Sequence, residues 1–121
     1  MEDYQQEYNE FIDKYKSGVQ IDGEEVGKNI AIMAQYFGIR NLMLAGKENL
    51  LRKIAAETIN STDTNGKPIS AVKSEILVAN TPEAREYRLA KVHLENLNQH
   101  INALKSLQKG ILNEYSNIGG T

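Results

Sequence analysis

Two histidines, His93 and His100, are the residues best suited to metal binding or acid–base chemistry in this sequence. They fall seven residues apart on one flank of a predicted helix, which separates them by about 10.5 Å along its axis. One metal ion therefore cannot bind both, and no HExxH pattern, Glu-x-x-His pattern or cysteine supplies further ligands. We interpret both histidines as borders of a packed apolar surface, where they can titrate against an interface, and we predict no metal site.

The second pattern with catalytic spacing is Ser70-Ala71-Val72-Lys73, in which a hydroxyl lies one helical turn from an amine that could activate it. The Ser-Asp-Asn and Lys-Thr-Gly motifs of such hydrolases are absent, and Ser70 is also well placed to cap a helix. Gly23 to Gly27 lacks the third glycine and the preceding strand of a dinucleotide-binding fingerprint. The sequence thus predicts a protein that is not an enzyme, with no catalytic residue and no cofactor.

The composition is that of a folded domain. The 121 residues include two prolines, 40% hydrophobic residues and 25% charged residues, so we predict a single domain over residues 1–121. The chain has no cysteine, an acidic and polar start, and no run of about 18 apolar residues, which predicts a cytoplasmic protein without membrane contact. Residues 1–27 carry eight acidic and two basic residues, whereas the remainder carries twelve basic and eight acidic residues.

The element that organises the chain is a long helix predicted over residues 81–116. Thr81 can cap it, and Pro82 suits its first turn. At about 1.5 Å per residue it would be roughly 50 Å long, against a radius of gyration of about 14 Å for a compact domain of this size. One side carries an apolar seam in alternating three- and four-residue steps: Tyr87, Ala90, Leu94, Leu97, Ile101, Leu104, Gln108, Ile111 and Tyr115.

Such a seam needs a partner surface, either other long helices of the chain or a second copy. We predict a homo-oligomer, most simply a coiled-coil-like dimer, with its interface at Tyr87, Leu94, Leu97, Ile101, Leu104 and Ile111.

Shorter elements precede this helix. Residues 1–17 form an N-terminal helix whose aromatic face, Tyr4, Tyr8, Phe11 and Tyr15, is predicted to dock on the body. Residues 22–60 form one middle helix or two, starting at a capping box of Asp22 and Glu25, and we favour a bend or break near residues 38–41. A loop over 61–69 and a short helix over 70–79 follow, with a strand over 75–79 as the alternative to that helix, and 117–121 is a frayed tail.

Basic residues give a weaker indication of nucleic-acid binding. Glu83, Glu86 and Glu95 interrupt them, which favours a solvated, salt-bridged face over a phosphate-tracking stripe. The candidate contacts on the long helix are Arg85, Arg88, Lys91, Lys105 and Lys109, joined on the middle helix by Arg40, Lys47, Arg52 and Lys53.

The C-terminal half also resembles a known group of proteins. It combines the loop Asn65-Gly66-Lys67-Pro68, the helix start Ala84-Arg85-Glu86-Tyr87-Arg88 and the seam around Leu94, Leu97, Ile101, Ala103-Leu104, Ser106-Leu107-Gln108 and Leu112. With these features it is similar to small helical accessory proteins of tailed phages, often encoded near single-strand annealing or replication genes. The resemblance covers about half the chain and implies a phage or prophage origin and a bacterial host cytoplasm, but it assigns no functional residue.

The predicted fold class is all-α, an elongated helical hairpin or bundle in which the long C-terminal helix packs antiparallel to the middle one. Three functions remain open. The first is a scaffold or adaptor that acts through self-association and partner binding. The second is a nucleic-acid-binding accessory factor in phage recombination or replication. The third is an oligomeric counter-defence protein that captures a host factor or an anionic signal.

Overall fold

The computed structural model describes the backbone of residues 3–119 and the side chains of residues 3–114. Over this range the chain forms four helices and no strand, which confirms the predicted all-α class. The helices are α1 (Asp3–Lys16), α2 (Gly23–Ile59), α3 (Ala71–Ala79) and α4 (Pro82–Gly119). Within the described residues no helix is both long and apolar enough to span a bilayer.

α2 begins at the predicted cap and then continues further than predicted. The Asp22 carboxylate accepts a hydrogen bond from the Glu25 N–H (2.8 Å), which is one of the two bonds of the predicted capping box, and Ile21 and Val26 are both buried at this helix start, as a hydrophobic staple requires. The Glu25 carboxylate pairs with Lys14 of α1 (3.3 Å). Of the bend or break predicted near residues 38–41, the break is wrong, because a single helix runs from Gly23 to Ile59, and the bend stays a prediction. Gly38 keeps a negative φ, so it does not act as a left-handed C-cap.

Both C-terminal helices begin at hydroxyl caps. Ser70 Oγ accepts from the Lys73 N–H (3.2 Å) at the start of α3, and Thr81 Oγ1 accepts from the Ala84 N–H (3.2 Å) at the start of α4. The strand considered over residues 75–79 is wrong, since these residues belong to α3.

The loop before α3 contains a miniature antiparallel turn. Thr62 and Pro68 form an isolated bridge, and Gly66 has a φ of 75°, which glycine adopts without strain. The Asp63 carboxylate accepts from the N–H groups of Asn65 (2.8 Å) and Lys67 (3.0 Å). Asn65-Gly66 therefore forms a turn inside a helix-to-helix loop, not between two strands of a sheet.

The chain divides into two compact units, and α2 and α4 pass through both. Unit 1 comprises Met1–Ile39 and Leu94–Thr121, and unit 2 is Arg40–His93. The boundary in α2 falls within the segment where the sequence predicts a break, so that segment marks a change in packing and not a change in helicity. A single domain over residues 1–121 stays a prediction.

Unit 1 contains an apolar core formed by α1 and by its parts of α2 and α4. The predicted docking of the aromatic face of α1 is confirmed for Tyr4 and Phe11, whereas Tyr15 remains 45% exposed. Near the start of α2, the Gln108 side-chain amide of α4 donates to the Gly23 carbonyl (3.0 Å). The buried cluster consists of Tyr4, Phe11, Ile21, Val26, Met33, Leu97 and Leu104.

Candidate functional site

The part of the predicted α4 seam around Leu97 and Leu104 is covered by the chain's own helices. Leu97 and Leu104 are completely buried in the core of unit 1, with Ile101 and Ile111 packed against it. Tyr87 and Leu94 are half-buried, and the side chain of Tyr115 lies outside the described residues. Packing within one chain thus accounts for the seam's apolar spacing. An oligomer interface at these positions stays a prediction, and Leu97 and Leu104 have no surface left to offer it.

Unit 2 has the opposite distribution of apolar side chains. Its fully buried residues are Ala84 and Ser74, and none of its large apolar side chains is among the buried residues. The most exposed are Leu42 (76%) on α2, Val72 (67%) and Ile76 (57%) on α3, and Leu89 (55%) and Val92 (50%) on α4. Scattered exposed apolar residues are ordinary on a protein surface. A compact unit that leaves all of its large apolar side chains accessible is less ordinary, and such exposure is typical of a surface that binds a partner.

α3 shows this inversion most clearly. Ser74 is 4% exposed and, with Val78 one turn later, faces a groove bordered by α2 and α4. Val72 and Ile76, also one turn apart, occupy the solvent side of the same helix. A helix that buries a serine and exposes valine and isoleucine has its larger apolar side uncovered. We define the outer face of α3 as Val72 and Ile76.

The groove below α3 is small and mainly apolar. Its volume is about 370 Å³, and Arg88 lies at its wall, where one guanidinium N–H donates to the Ala79 carbonyl (3.2 Å). The Lys91 ammonium lies over the ring of Tyr87, 5.4 Å from its centroid. The apolar lining comes from Leu51, Ala55, Val78, Ala79 and Ala84.

The predicted nucleic-acid contacts are divided between the units. Arg85, Arg88 and Lys91 are exposed in unit 2, whereas Lys105 and Lys109 are exposed in unit 1. On the middle helix, Lys47 pairs with Glu86 (3.4 Å) and Arg52 pairs with Glu48 (2.6 Å). These two pairs are of the kind expected for a salt-bridged face.

The two units carry opposite charge. Unit 2 contains nine basic and six acidic residues, a net charge of +3, and unit 1 contains five basic and ten acidic residues, a net charge of −5. The charge difference that the sequence shows between residues 1–27 and the remainder is thus also a charge difference between the two units. Part of the positive charge of unit 2 is next to its exposed apolar residues on α4.

Unit 1 has an apolar groove of its own, with an acidic side chain in its lining. The groove has a volume of about 360 Å³ and is lined by Glu7 of α1 and by Ile32, Gln35, Tyr36 and Ile39 of α2. Partial burial, followed by the carboxylates of Glu7 and Asp3, raises the pKa of the Tyr36 phenol. Two carboxylates of α1, Glu7 and Asp3, thus lie close enough to act on this phenol.

The two histidines occupy different environments. His93 belongs to unit 2 and His100 to unit 1, where the imidazole stacks on Tyr8 with 3.8 Å between ring centroids and 10° between planes. His100 Nε2 is buried without a hydrogen-bond partner, and burial lowers the pKa of this imidazole. Among the described residues, no group of three or more His, Asp or Glu side chains could hold a metal ion.

Searches for related proteins gave no match: no protein-family model, no curated protein and no solved structure corresponds to this chain. The resemblance to phage accessory proteins therefore stays a prediction from the sequence, and function has to be argued from the geometry of the two units.

Proposed function

We propose that this protein is a non-enzymatic helical adaptor that self-associates through unit 2. The observation that carries the proposal is the exposed apolar surface of that unit, above all the inverted helix α3, in which Val72 and Ile76 face solvent while Ser74 is buried. Self-association through this surface would replace the seam of α4 as the contact between copies.

The energetic argument concerns the accessible apolar area. Burying a Val, Leu or Ile side chain completely contributes about 1.5–3 kcal/mol relative to leaving it exposed. Leu42, Val72, Ile76, Leu89 and Val92 are each at least half exposed in the single chain, so at least half of that contribution is still available to an assembly. Association must also offset the loss of translational and rotational freedom, which a few well-covered apolar residues can achieve when they are contiguous.

The direct test is the mass of the protein in solution. We expect sedimentation and light scattering to give a mass above the 13.6 kDa of one chain, increasing with protein concentration. The double variant Val72→Ser with Ile76→Ser should shift the protein toward the monomer while its circular dichroism remains helical. Leu112→Ser, at a leucine of unit 1 that is as exposed as Ile76 (57%), is a control and should leave the mass unchanged. A wild-type protein that stays monomeric at all concentrations would refute self-association.

Nucleic-acid binding is the second candidate, and one observation favours it. Arg85, Arg88 and Lys91 are exposed along one helix of a unit with net charge +3. With the phage resemblance, this supports an accessory role in recombination or replication. We expect single-stranded DNA to bind with an affinity that falls steeply with salt and is lost on Arg85→Glu with Arg88→Glu. No binding at about 50 mM salt would end this candidate.

A further inference from the structure

One side of α4 in unit 2 combines exposed apolar and basic side chains. Arg85, Leu89 and Val92 follow each other at steps of four and three residues, so they lie on one side of the helix. Leu89 and Val92 are 55% and 50% exposed, and Arg88 and Lys91 flank them. We name these five residues the basic ridge.

Unit 1 offers a surface of complementary form and charge. The groove lined by Glu7, Ile32, Gln35, Tyr36 and Ile39 is concave, and its one charged lining residue is acidic. Ile39 is 58% exposed and Ile32 is 37% exposed, so the apolar part of the lining is accessible. We name it the acidic groove. The apolar side chains that the two surfaces offer, Ile32 and Ile39 on one and Leu89 and Val92 on the other, are at least 37% exposed.

We propose that the basic ridge of one copy docks into the acidic groove of a second copy. This inference rests on the proposed self-association and adds a second contact to the outer face of α3, which belongs to the same unit as the ridge. Leu89 and Val92 would cover Ile32 and Ile39, while Arg85 and its neighbouring cations would lie against Glu7 and the surrounding carboxylates of a unit with net charge −5. Two such contacts in one pair of molecules give a closed dimer, and single contacts in series give a chain.

Charge selects this arrangement over pairing of like surfaces. Unit 2 against unit 2 would bring together two units of net charge +3, and unit 1 against unit 1 would bring together two units of net charge −5. Like-charge contacts suppress association, whereas complementary potentials accelerate the encounter and fix its register. The ridge-to-groove contact covers apolar area on both sides and opposes charges of opposite sign.

A charge exchange between two variants tests the contact. The first variant is Glu7→Lys, which makes the groove basic, and the second is Arg85→Glu with Lys91→Glu, which makes the ridge acidic. At low salt we expect each variant alone to self-associate at least about tenfold more weakly than the wild type. An equimolar mixture should recover association to within about threefold of the wild type, because the acidic ridge of one variant then meets the basic groove of the other.

Matched controls separate this contact from a general effect of net charge. Glu10→Lys makes the same charge change as Glu7→Lys on α1 outside the groove, and Lys105→Glu with Lys109→Glu makes the same change as the ridge variant on α4 outside the ridge. Both should associate like the wild type. If Glu7→Lys fails to fold by circular dichroism, Ile39→Lys instead places a cation in the groove at the more exposed of its two isoleucines.

The outcomes distinguish this contact from self-association itself. If either charge-exchanged variant self-associates as strongly as the wild type, or if mixing the two variants does not restore association, the ridge-to-groove contact is overturned and self-association still stands. A monomeric wild-type protein would overturn both. Recovery only in the mixture supports the contact between the two named surfaces.

Discussion

The imidazole ring of His100 on α4 lies parallel to the phenol ring of Tyr8 on α1, with 3.8 Å between their centroids. The ring of Tyr4 is tilted against the same imidazole, with 6.0 Å between the ring centroids, so two aromatic residues of α1 pack against one histidine. Because Nε2 is buried without a partner, a proton added there would lose its hydration without gaining an acceptor. The contact therefore favours the neutral ring, in agreement with the lowered pKa.

The first prediction is a loss of stability in mild acid. The unfolded chain has the ordinary histidine pKa of 6.5 and the folded chain a lower one, so below pH 6.5 the unfolded state binds more protons. The contribution of His100 is thus present in full above pH 6.5 and decreases as the pH falls toward the folded pKa. Urea denaturation at a series of pH values measures this slope.

His100→Phe keeps an aromatic ring against Tyr8 but cannot titrate, so it should flatten this part of the profile. A profile that is the same for wild type and His100→Phe would contradict this interpretation of the stacked pair.

The second prediction concerns the core of unit 1. Leu97→Ala should lower the free energy of unfolding by about 2–5 kcal/mol, because it leaves a cavity in place of a fully buried side chain. Leu112→Ala makes the same chemical change on α4 at a side chain that is 57% exposed, and should cost well under half as much. Equal losses for the two variants, measured by urea denaturation, would show that Leu97 is not the core residue described.

Much of this fold follows from local patterns in the sequence. The caps at Asp22, Ser70 and Thr81 are short-range interactions, so three-residue spacings predict them. The three- and four-step spacing of α4 predicts which residues are covered, as the burial of Leu97 and Leu104 confirms. Periodicity predicts that the apolar side of α4 is buried against another element. Which element buries it depends on long-range packing, and here α1 and α2 do so.

The sequence was least informative where packing reverses a local rule. Val72 and Ile76 have the character of core residues, and only the tertiary placement of α3 shows that Ser74 takes the buried side. A helical wheel already separates Ser70 and Ser74 from Val72 and Ile76, but it cannot tell which side faces inward. The contact between Tyr8 and His100 joins residues 92 positions apart, which no periodicity encodes.

The third prediction concerns the loop before α3. Asp63→Ala removes the carboxylate that accepts from the Asn65 and Lys67 N–H groups, and should cost about 0.5–2 kcal/mol, the range for loss of a comparable cap. Asp63→Asn keeps a side-chain oxygen and should cost less. If both variants unfold at the same urea concentration as the wild type, the acceptor at this position does not stabilise the turn.

The fourth prediction uses two glycines within α2. An alanine Cβ at Gly38 would meet nothing within 4 Å, so Gly38→Ala should stabilise the protein by about 0.5–1 kcal/mol through the lower helix propensity of glycine. At Gly27 the new Cβ would lie 3.1 Å from the Gln108 amide nitrogen, which donates to the Gly23 carbonyl. Gly27→Ala should therefore gain less than Gly38→Ala, or lose stability, because the amide must move away from its acceptor.

A double-mutant cycle separates these two effects. In a Gln108→Ala background the crowded amide is absent, and Gly27→Ala should then give about the same gain as Gly38→Ala, with a coupling energy of about 0.5–1.5 kcal/mol between positions 27 and 108. Additive effects of the two substitutions would mean that the Gln108 side chain adapts without loss, and that α2 and α4 are not locked at this point by the hydrogen bond to Gly23. Because Gly27 and Gln108 both belong to unit 1, the coupling reports on the packing of that unit alone.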